Sequence, residues 1–386
     1  MNHHPGKKAL CRAIVILSLL IFWIGDSCSP VIFGQRNLAE RWHPTRIPSG
    51  AAFIGDQACA ECHQDLARVQ AQSSMGLAMD PVPESKLLIA NPKMVFQNGD
   101  YAYEIARQQS QSFYTVTNGR ETVTLPILYA FGQGKAGQTY LLQYDGEFYE
   151  SRVSFYNQVK GLDLTIGHSK ALPESLKEAV GRRLPKDETL RCFNCHSTGA
   201  VKGNQLQLDQ LRPGIRCEAC HGPGGEHVAA AKAGQPNAKL IFNPARLNGD
   251  ELTQNFCASC HSTTDELSVL RGLGINNIRH QPYRIFKSKC YSDDRKISCT
   301  ACHNPHESLK TETADYDAKC LACHTANRRP VKGRAKPAAA GSIPGCRIGN
   351  RNCASCHMPQ IELPGSHFKF TDHYIRIVKP NEAYQN

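Results

Sequence analysis

The hydrophobic pattern of this chain changes several times between its ends. Ala13–Ile24 is an apolar run broken only by Ser18, and Lys7, Lys8 and Arg12 precede it. The run has the length of a signal h-region and is short for a membrane span. Residues 31–50, with Pro44 and Pro48, read as a linker, and Leu66–Met79 has helical spacing. Residues 92–160 alternate apolar and polar positions instead. Phe113–Thr117 and Glu121–Leu125 flank Asn118-Gly119, and Tyr140–Tyr144 and Phe148–Phe155 flank Asp145-Gly146. Asn-Gly and Asp-Gly between alternating runs predict two β-hairpins. A short helix is predicted over Leu172–Arg183. Beyond it no period persists long enough for ordinary helices or sheets.

What fills that last part is a repeated pentad, Cys-x-x-Cys-His. It occurs seven times, as Cys59/Cys62/His63, Cys192/Cys195/His196, Cys217/Cys220/His221, Cys257/Cys260/His261, Cys299/Cys302/His303, Cys320/Cys323/His324 and Cys353/Cys356/His357. From Cys192 onward the pentads begin 25, 40, 42, 21 and 33 residues apart. Each pentad reads as a c-type haem attachment. Two thiols one helical turn apart reach the two vinyl groups of one haem, and the adjacent histidine supplies the proximal nitrogen to iron. Short helices and loops packed around stacked haems are expected. The competing readings are a zinc ribbon, which the spacing from Cys302 to Cys320 resembles, and a disulfide framework. Neither needs a histidine after every second cysteine. With 16 His in 386 residues, chance supplies one about 4% of the time, and seven together on the order of 10⁻¹⁰.

Seven haems change what the composition implies. The hydrophobic fraction of 41% is low for a conventional core, and porphyrin plates would supply the missing apolar surface. The formal charge of +11 would suggest nucleic acid or an acidic surface, but fourteen propionates contribute about −14 and ferric cores about +7, leaving roughly +4. No Lys/Arg run outside the amino-terminal segment exceeds two residues and no nucleic-acid motif is present, so nucleic acid is not expected as a partner. Gly132-Gln133-Gly134-Lys135-Ala136-Gly137 has the form of a dinucleotide loop. A strand rather than a helix is predicted after it, so no nucleotide cofactor is expected.

The strings Cys217–His227 (CEACHGPGGEH), Cys299–His306 (CTACHNPH), Cys353–Pro359 (CASCHMP) and Phe370–His373 (FTDH) resemble the multihaem cytochromes grouped with cytochrome c-554. That group belongs to a wider superfamily with octahaem tetrathionate reductase and hydroxylamine oxidoreductase. The resemblance covers roughly residues 165–380, and 53–80 more loosely. With the resemblance, a mainly α, largely irregular multihaem fold is expected, and the hairpin signals add a small antiparallel β subdomain inserted after the first motif. The expected organisation is a signal peptide or anchor at 1–30, a linker at 31–50, a first haem-binding segment at 51–91, a β-rich insert at 92–165 and a six-haem module at 166–386. The resemblance also implies distal iron ligands. His227 and His306 are the foremost candidates, because short Gly-Pro-Gly and Asn-Pro turns separate them from His221 and His303. His373, His168, His280 and His367 follow, with His43 last. It further suggests that Cys290 and Cys346 pair as a disulfide.

Two functions follow as expectations. Bis-histidine haems, closed to substrate, would make the chain an electron carrier between a protein or membrane donor and an acceptor. One iron without a sixth ligand would instead make it an oxidoreductase for a small nitrogen or sulfur compound. All seven pentads end in histidine, unlike the lysine-bearing pentad of pentahaem nitrite reductase. Cleavage before Cys28, lipidation at Cys28 and retention as an anchor each place the chain outside the cytoplasm, where c-type haem is attached.

Overall fold

The computed structural model describes residues 53–236, 239–263, 267, 274–292, 297–324 and 349–385. The expected signal segment, the linker, His43 and Cys346 lie outside the described residues, and with Cys346 so does the expected disulfide. The described residues mix short helices, antiparallel strands and irregular stretches; no helix among them is long and apolar enough to cross a membrane.

Eleven strands lie between residues 79 and 183. They are β1 Met79–Asp80, β2 Lys93–Asn98, β3 Tyr101–Gln108, β4 Gln111–Thr117, β5 Thr122–Pro126, β6 Tyr129–Phe131, β7 Thr139–Tyr144, β8 Glu147–Ser151, β9 Val153–Tyr156, β10 Gly161–Leu164 and β11 Gly181–Arg183. Strands β2-β3-β4-β5 form an antiparallel meander, and β1-β6-β7-β8-β11 a second antiparallel sheet. Both predicted turns are present. Asn118 Oδ1 accepts from the amides of Arg120 and Glu121. Asp145 and Gly146 both have positive φ, at 50° and 79°, as a two-residue type I′ turn requires. The alternation puts Tyr103, Ile105, Tyr114, Val116, Tyr140 and Leu142 inside one core with Val153 and Phe155. Gly132–Gly137 joins β6 to β7 without a helix, so the local context of a dinucleotide site is missing there.

The sequence reading differs from the structure in three places. Phe148–Phe155 is not one strand; the chain breaks at Arg152, which is buried and donates to the carbonyls of Ser169 and Ala171. The helix expected over 172–183 spans only Leu176–Val180. Gly181 then pairs with Ser151, and a Cβ at Gly181 would lie 2.1 Å from the carbonyl oxygen of Glu150, so only glycine lets the helix end directly against the sheet. The helix from Leu66 is shorter than expected, Gln64–Gln70, and Met79 belongs to strand β1. Met79 packs in a small cluster with Leu141, Leu184, Phe193 and Ala200.

Candidate multihaem site

Each pentad sits on a short helical turn. The second lies at the end of Lys186–His196, the longest of these helices. Cys217–His221 and Cys353–His357 are five-residue helices. In the first, fifth and sixth pentads the histidine amide donates to the carbonyl of the first cysteine, at 2.8 Å for His63, 2.9 Å for His303 and 3.0 Å for His324. Closing one turn this way puts both thiols on one side of the helix with the imidazole beyond them.

Several of these imidazoles are fixed as one tautomer. Nδ1 of His196 donates to the Ala78 carbonyl, that of His221 to Phe242 and that of His357 to Arg376, each at 2.9 Å. A carbonyl can only accept, so the proton is on Nδ1 and the Nε2 lone pair is left for a metal. His373 has the same arrangement, with Thr371 at 3.0 Å. Burial lowers the basicity of His196, His221, His261 and His303, and takes His280 and His373 down to about 4. All six are therefore neutral near pH 7, the form that binds iron.

Two candidate distal histidines face proximal ones. The His221 and His306 rings are nearly parallel, at 7°, with centres 6.1 Å apart. The His303 and His373 rings have centres 6.2 Å apart at 41°. The other candidates are placed differently. His168 Nε2 bonds Glu150 Oε2 at 3.1 Å, with Arg182 on the same carboxylate oxygen at 3.0 Å. His367 Nε2 bonds Asp163 Oδ2 at 2.6 Å and its ring packs edge-on to Tyr156. The His280 ring lies near the His261 backbone. His227 lies on the helix Gly225–Lys232 with its buried Nδ1 unpartnered among the described residues.

The motifs also touch one another. The thiols of Cys59 and Cys217, of Cys195 and Cys260, of Cys257 and Cys299, and of Cys320 and Cys353 lie near one another. Residues from all but the first pentad line one continuous cavity of about 4510 Å³. Among the described residues no three Cys, His, Asp or Glu side chains converge on a common point, as a zinc site would require. A single imidazole beside two thiols, repeated around an apolar cavity, fits haem instead.

The first pentad is placed differently from the six that crowd together after it. Cys62 is exposed and, with Cys59 and His63, does not line the cavity. Cys323 and Cys356 are exposed too, yet both line the cavity. The physical reason lies in the segment that carries Cys62. The helix Asp56–Ala60 buries none of its residues and ends before Cys62. Cys62 then sits in the turn that closes on Cys59, its amide donating to the Cys59 carbonyl at 3.2 Å. The turn keeps the spacing of the two thiols, but no apolar wall covers the second one.

Acidic side chains that the motif pattern does not reveal hold these turns together. Glu218, inside the third pentad and 2% exposed at its side chain, accepts from the amides of Ile54, Gly55 and Gly224 at 2.8–2.9 Å. It thereby ties the approach to the first pentad to the third. Asp317, just before the sixth pentad, accepts from the amides of Asn352 at 2.7 Å and Cys353 at 2.8 Å. It caps the helix of the seventh.

A family model described as cytochrome c554 and c-prime matches residues 165–222, which contain the second and third pentads. This chain is a multihaem c-type cytochrome. The cytochrome is also similar to the multiheme cytochrome MtrA of Shewanella baltica (strain OS185), at 24% identity over 201 residues. That match covers 49% of this chain and 51% of MtrA, so the chain spans about half the length of the curated relative it matches. The crystal structure of the outer cell wall cytochrome OcwA aligns over 84% of this chain and 80% of its own, with 15% identity and a TM-score of 0.46.

Proposed function

We propose that this cytochrome carries seven covalently attached haems c and passes electrons along them between a donor and an acceptor outside the cytoplasm. The observation that carries the reading is the pair of facing imidazoles. Two nitrogens each about 2 Å from one metal put the ring centres roughly 6 Å apart, close to the separations of His221 from His306 and of His303 from His373. His306 would then share the iron of the third haem with His221, and His373 that of the fifth with His303. Haem held this way supplies one-electron chemistry at an iron closed to substrate.

The chain's own residues would do three things. Fourteen cysteines anchor the seven groups. The carbonyls of Ala78, Phe242 and Arg376 orient proximal imidazoles, and the cavity walls exclude water. The thiol contacts support an order for the relay. The first motif adjoins the third, the fourth adjoins both the second and the fifth, and the sixth adjoins the seventh. Cys220 near Cys260 and Cys302 near Cys320 bridge the remaining gaps. Electrons would run from the first haem through the third, fourth, fifth and sixth to the seventh, or the reverse, with the second beside the fourth. The exposure of Cys62 suits a first haem at the surface, where a relay meets its partner. In this reading residues 51–91 hold the first haem, 92–165 form a β-rich insert and 166–386 hold the other six. The apolar segment within 1–30 supports export, and a protein or membrane redox partner completes the path.

One observation favours the second reading, an oxidoreductase for a small nitrogen or sulfur compound. The carboxylates of Glu150 and Asp163 occupy Nε2 of His168 and His367. That leaves fewer distal histidines than seven irons need, and an iron without one binds substrate. Intact mass and pyridine haemochrome titration count the haems; seven are expected, and four or fewer would defeat the proposal. Electron paramagnetic resonance of the oxidised protein, with and without nitrite, hydroxylamine or sulfite, separates the two functions. An unperturbed spectrum is the carrier's, and a high-spin signal that shifts on addition is the enzyme's.

A further inference from the structure

The largest fully buried side chain of the described residues is an arginine. Arg284 and Asp372 are each 0% exposed at their side chains, although 88 residues separate them in sequence. Asp372 Oδ1 accepts from Arg284 Nε at 2.8 Å and from the Tyr374 amide at 3.0 Å. Oδ2 accepts from Arg284 Nη2 at 2.9 Å and from Arg376 Nη1 at 2.8 Å. The carboxylate is fully engaged, by one forked guanidinium, a second guanidinium and an amide. Arg284 Nη1 continues to the Gln385 carbonyl at 2.6 Å, and its guanidinium lies 4.8 Å from the Tyr384 ring centre. Arg376 Nε reaches Glu382 at 3.2 Å. Two arginines thus face two carboxylates, and the cluster is neutral without help from any bound group.

Burying so many charges stabilises a fold little, since desolvation offsets most of the attraction. A network of this kind does fix geometry, and here it lies between two imidazoles. His373 is next to Asp372 in sequence, and its Nδ1 donates to Thr371 on the other side of that aspartate. Its own carbonyl accepts from Ser288 Oγ, two residues beyond the helix Gln281–Phe286 that carries Arg284. His357 Nδ1 donates to the Arg376 carbonyl at 2.9 Å, and the Arg376 amide returns a bond to the His357 carbonyl at 3.2 Å. The Asp372 amide donates to Pro359 at 2.9 Å, two residues past His357. The backbone from Thr371 to Arg376 therefore carries one imidazole and orients another, and the ion cluster pins it at both ends.

We propose that Arg284, Asp372 and Arg376 are positioning residues that hold His373 and His357, ligands of two different haems, as one unit. The inference rests on the proposed distal role of His373. It goes beyond that role in requiring the fifth and seventh haems to respond together to a change at a residue that touches neither iron.

The test uses the haem-loaded full chain and its Asp372→Asn, Arg376→Lys and Leu142→Ala variants, the last lying in the β core away from the motifs. Paramagnetic resonance and a spectroelectrochemical titration are recorded for each. In Asp372→Asn two ferric signals should shift or turn high-spin and two midpoint potentials should move, with the remaining haems unchanged. Arg376→Lys keeps the charge but loses one arm of the network, and should give a smaller change in the same two haems; it also serves if Asp372→Asn does not assemble. Leu142→Ala should lower stability and leave the spectra alone. The proposal is overturned if the cluster variants lose stability with unchanged signals and potentials, as Leu142→Ala does, or if only one haem responds. A parent protein without any low-spin ferric signal would count against the bis-histidine reading itself, a separate failure visible before any variant is made.

Discussion

Between Lys93 and Leu164 the chain buries tyrosines, leucines and valines against one another, and the hairpin turns that organise them are local. Between Lys186 and Gln385 buried apolar side chains such as Leu252, Ile278, Tyr291 and Leu363 are scattered. The thiols and imidazoles of the pentads take the central positions instead, around one large cavity. Its segments are joined by carboxylates that accept backbone N–H bonds across long stretches of chain, 163 residues from Glu218 to Gly55 and 36 from Asp317 to Cys353. A side-chain core stabilises by removing apolar area from water and tolerates small changes of shape. A polar joint is geometrically exacting, and losing one partner leaves buried groups unpaired. The first material suits a scaffold; the second suits a site where ligand positions matter.

The largest effect should come from withholding haem. Without it the pentad region loses what its cavity is shaped around, whereas the β-rich region keeps its own core. Limited proteolysis of protein made without haem attachment should cut widely after Lys186 and spare a fragment spanning residues 93–164. Uniform resistance, or uniform digestion, would erase the distinction between the two regions.

Next in size is Glu218→Ala. It strands three backbone N–H groups and removes the partner of Arg212, at a cost of about 3–5 kcal/mol. Glu218→Gln should lose less, because it keeps one acceptor. Chemical denaturation of the loaded protein measures both, and the first haem's spectrum should change along with stability. Leu142→Ala in the β core should cost about 2–5 kcal/mol through the cavity it leaves, with the haem spectra unaltered. If the two substitutions perturb the haems alike, the regions are not energetically distinct.

The smallest effect is a pH dependence at Asp317. The amides of Cys353 and Asn352 hold its carboxyl below the ordinary aspartate range. A depressed folded value means its contribution is present above the unfolded pKa and is lost as the pH falls through the folded one. Asp317→Asn should therefore lower stability near neutrality and flatten the acid limb of the profile, so that variant and parent converge as the pH falls; an equal loss at pH 7 and pH 3 would contradict this.

The pentads were legible because haem attachment fixes five consecutive positions, and the Asn118-Gly119 and Asp145-Gly146 turns because hairpin geometry is set within a few residues. What escaped the sequence depends on contacts between distant segments. Seven identical motifs give no hint that Cys62 stands outside the cavity the other six share, because the walls come from elsewhere in the chain. Arg152 breaks a strand to reach Ser169 and Ala171, and Gly181 stops a helix to pair with Ser151. Nothing near His168 or His367 announces Glu150 or Asp163 as partners. Glu218 and Asp372 left some signal, an acidic residue inside a pentad and another inside the Phe-Thr-Asp-His string. Only the fold says which amides and guanidinium groups they meet.

In the proposed reading, facing imidazoles mark irons held from both sides. Low-temperature paramagnetic resonance of the oxidised, haem-loaded protein and of its His306→Ala variant tests it directly. The substitution should convert one haem, the one attached at Cys217 and Cys220, from low-spin to high-spin and leave the others as they were. A spectrum identical to that of the parent protein would contradict it, because His306 would then stand beside His221 without sharing its iron.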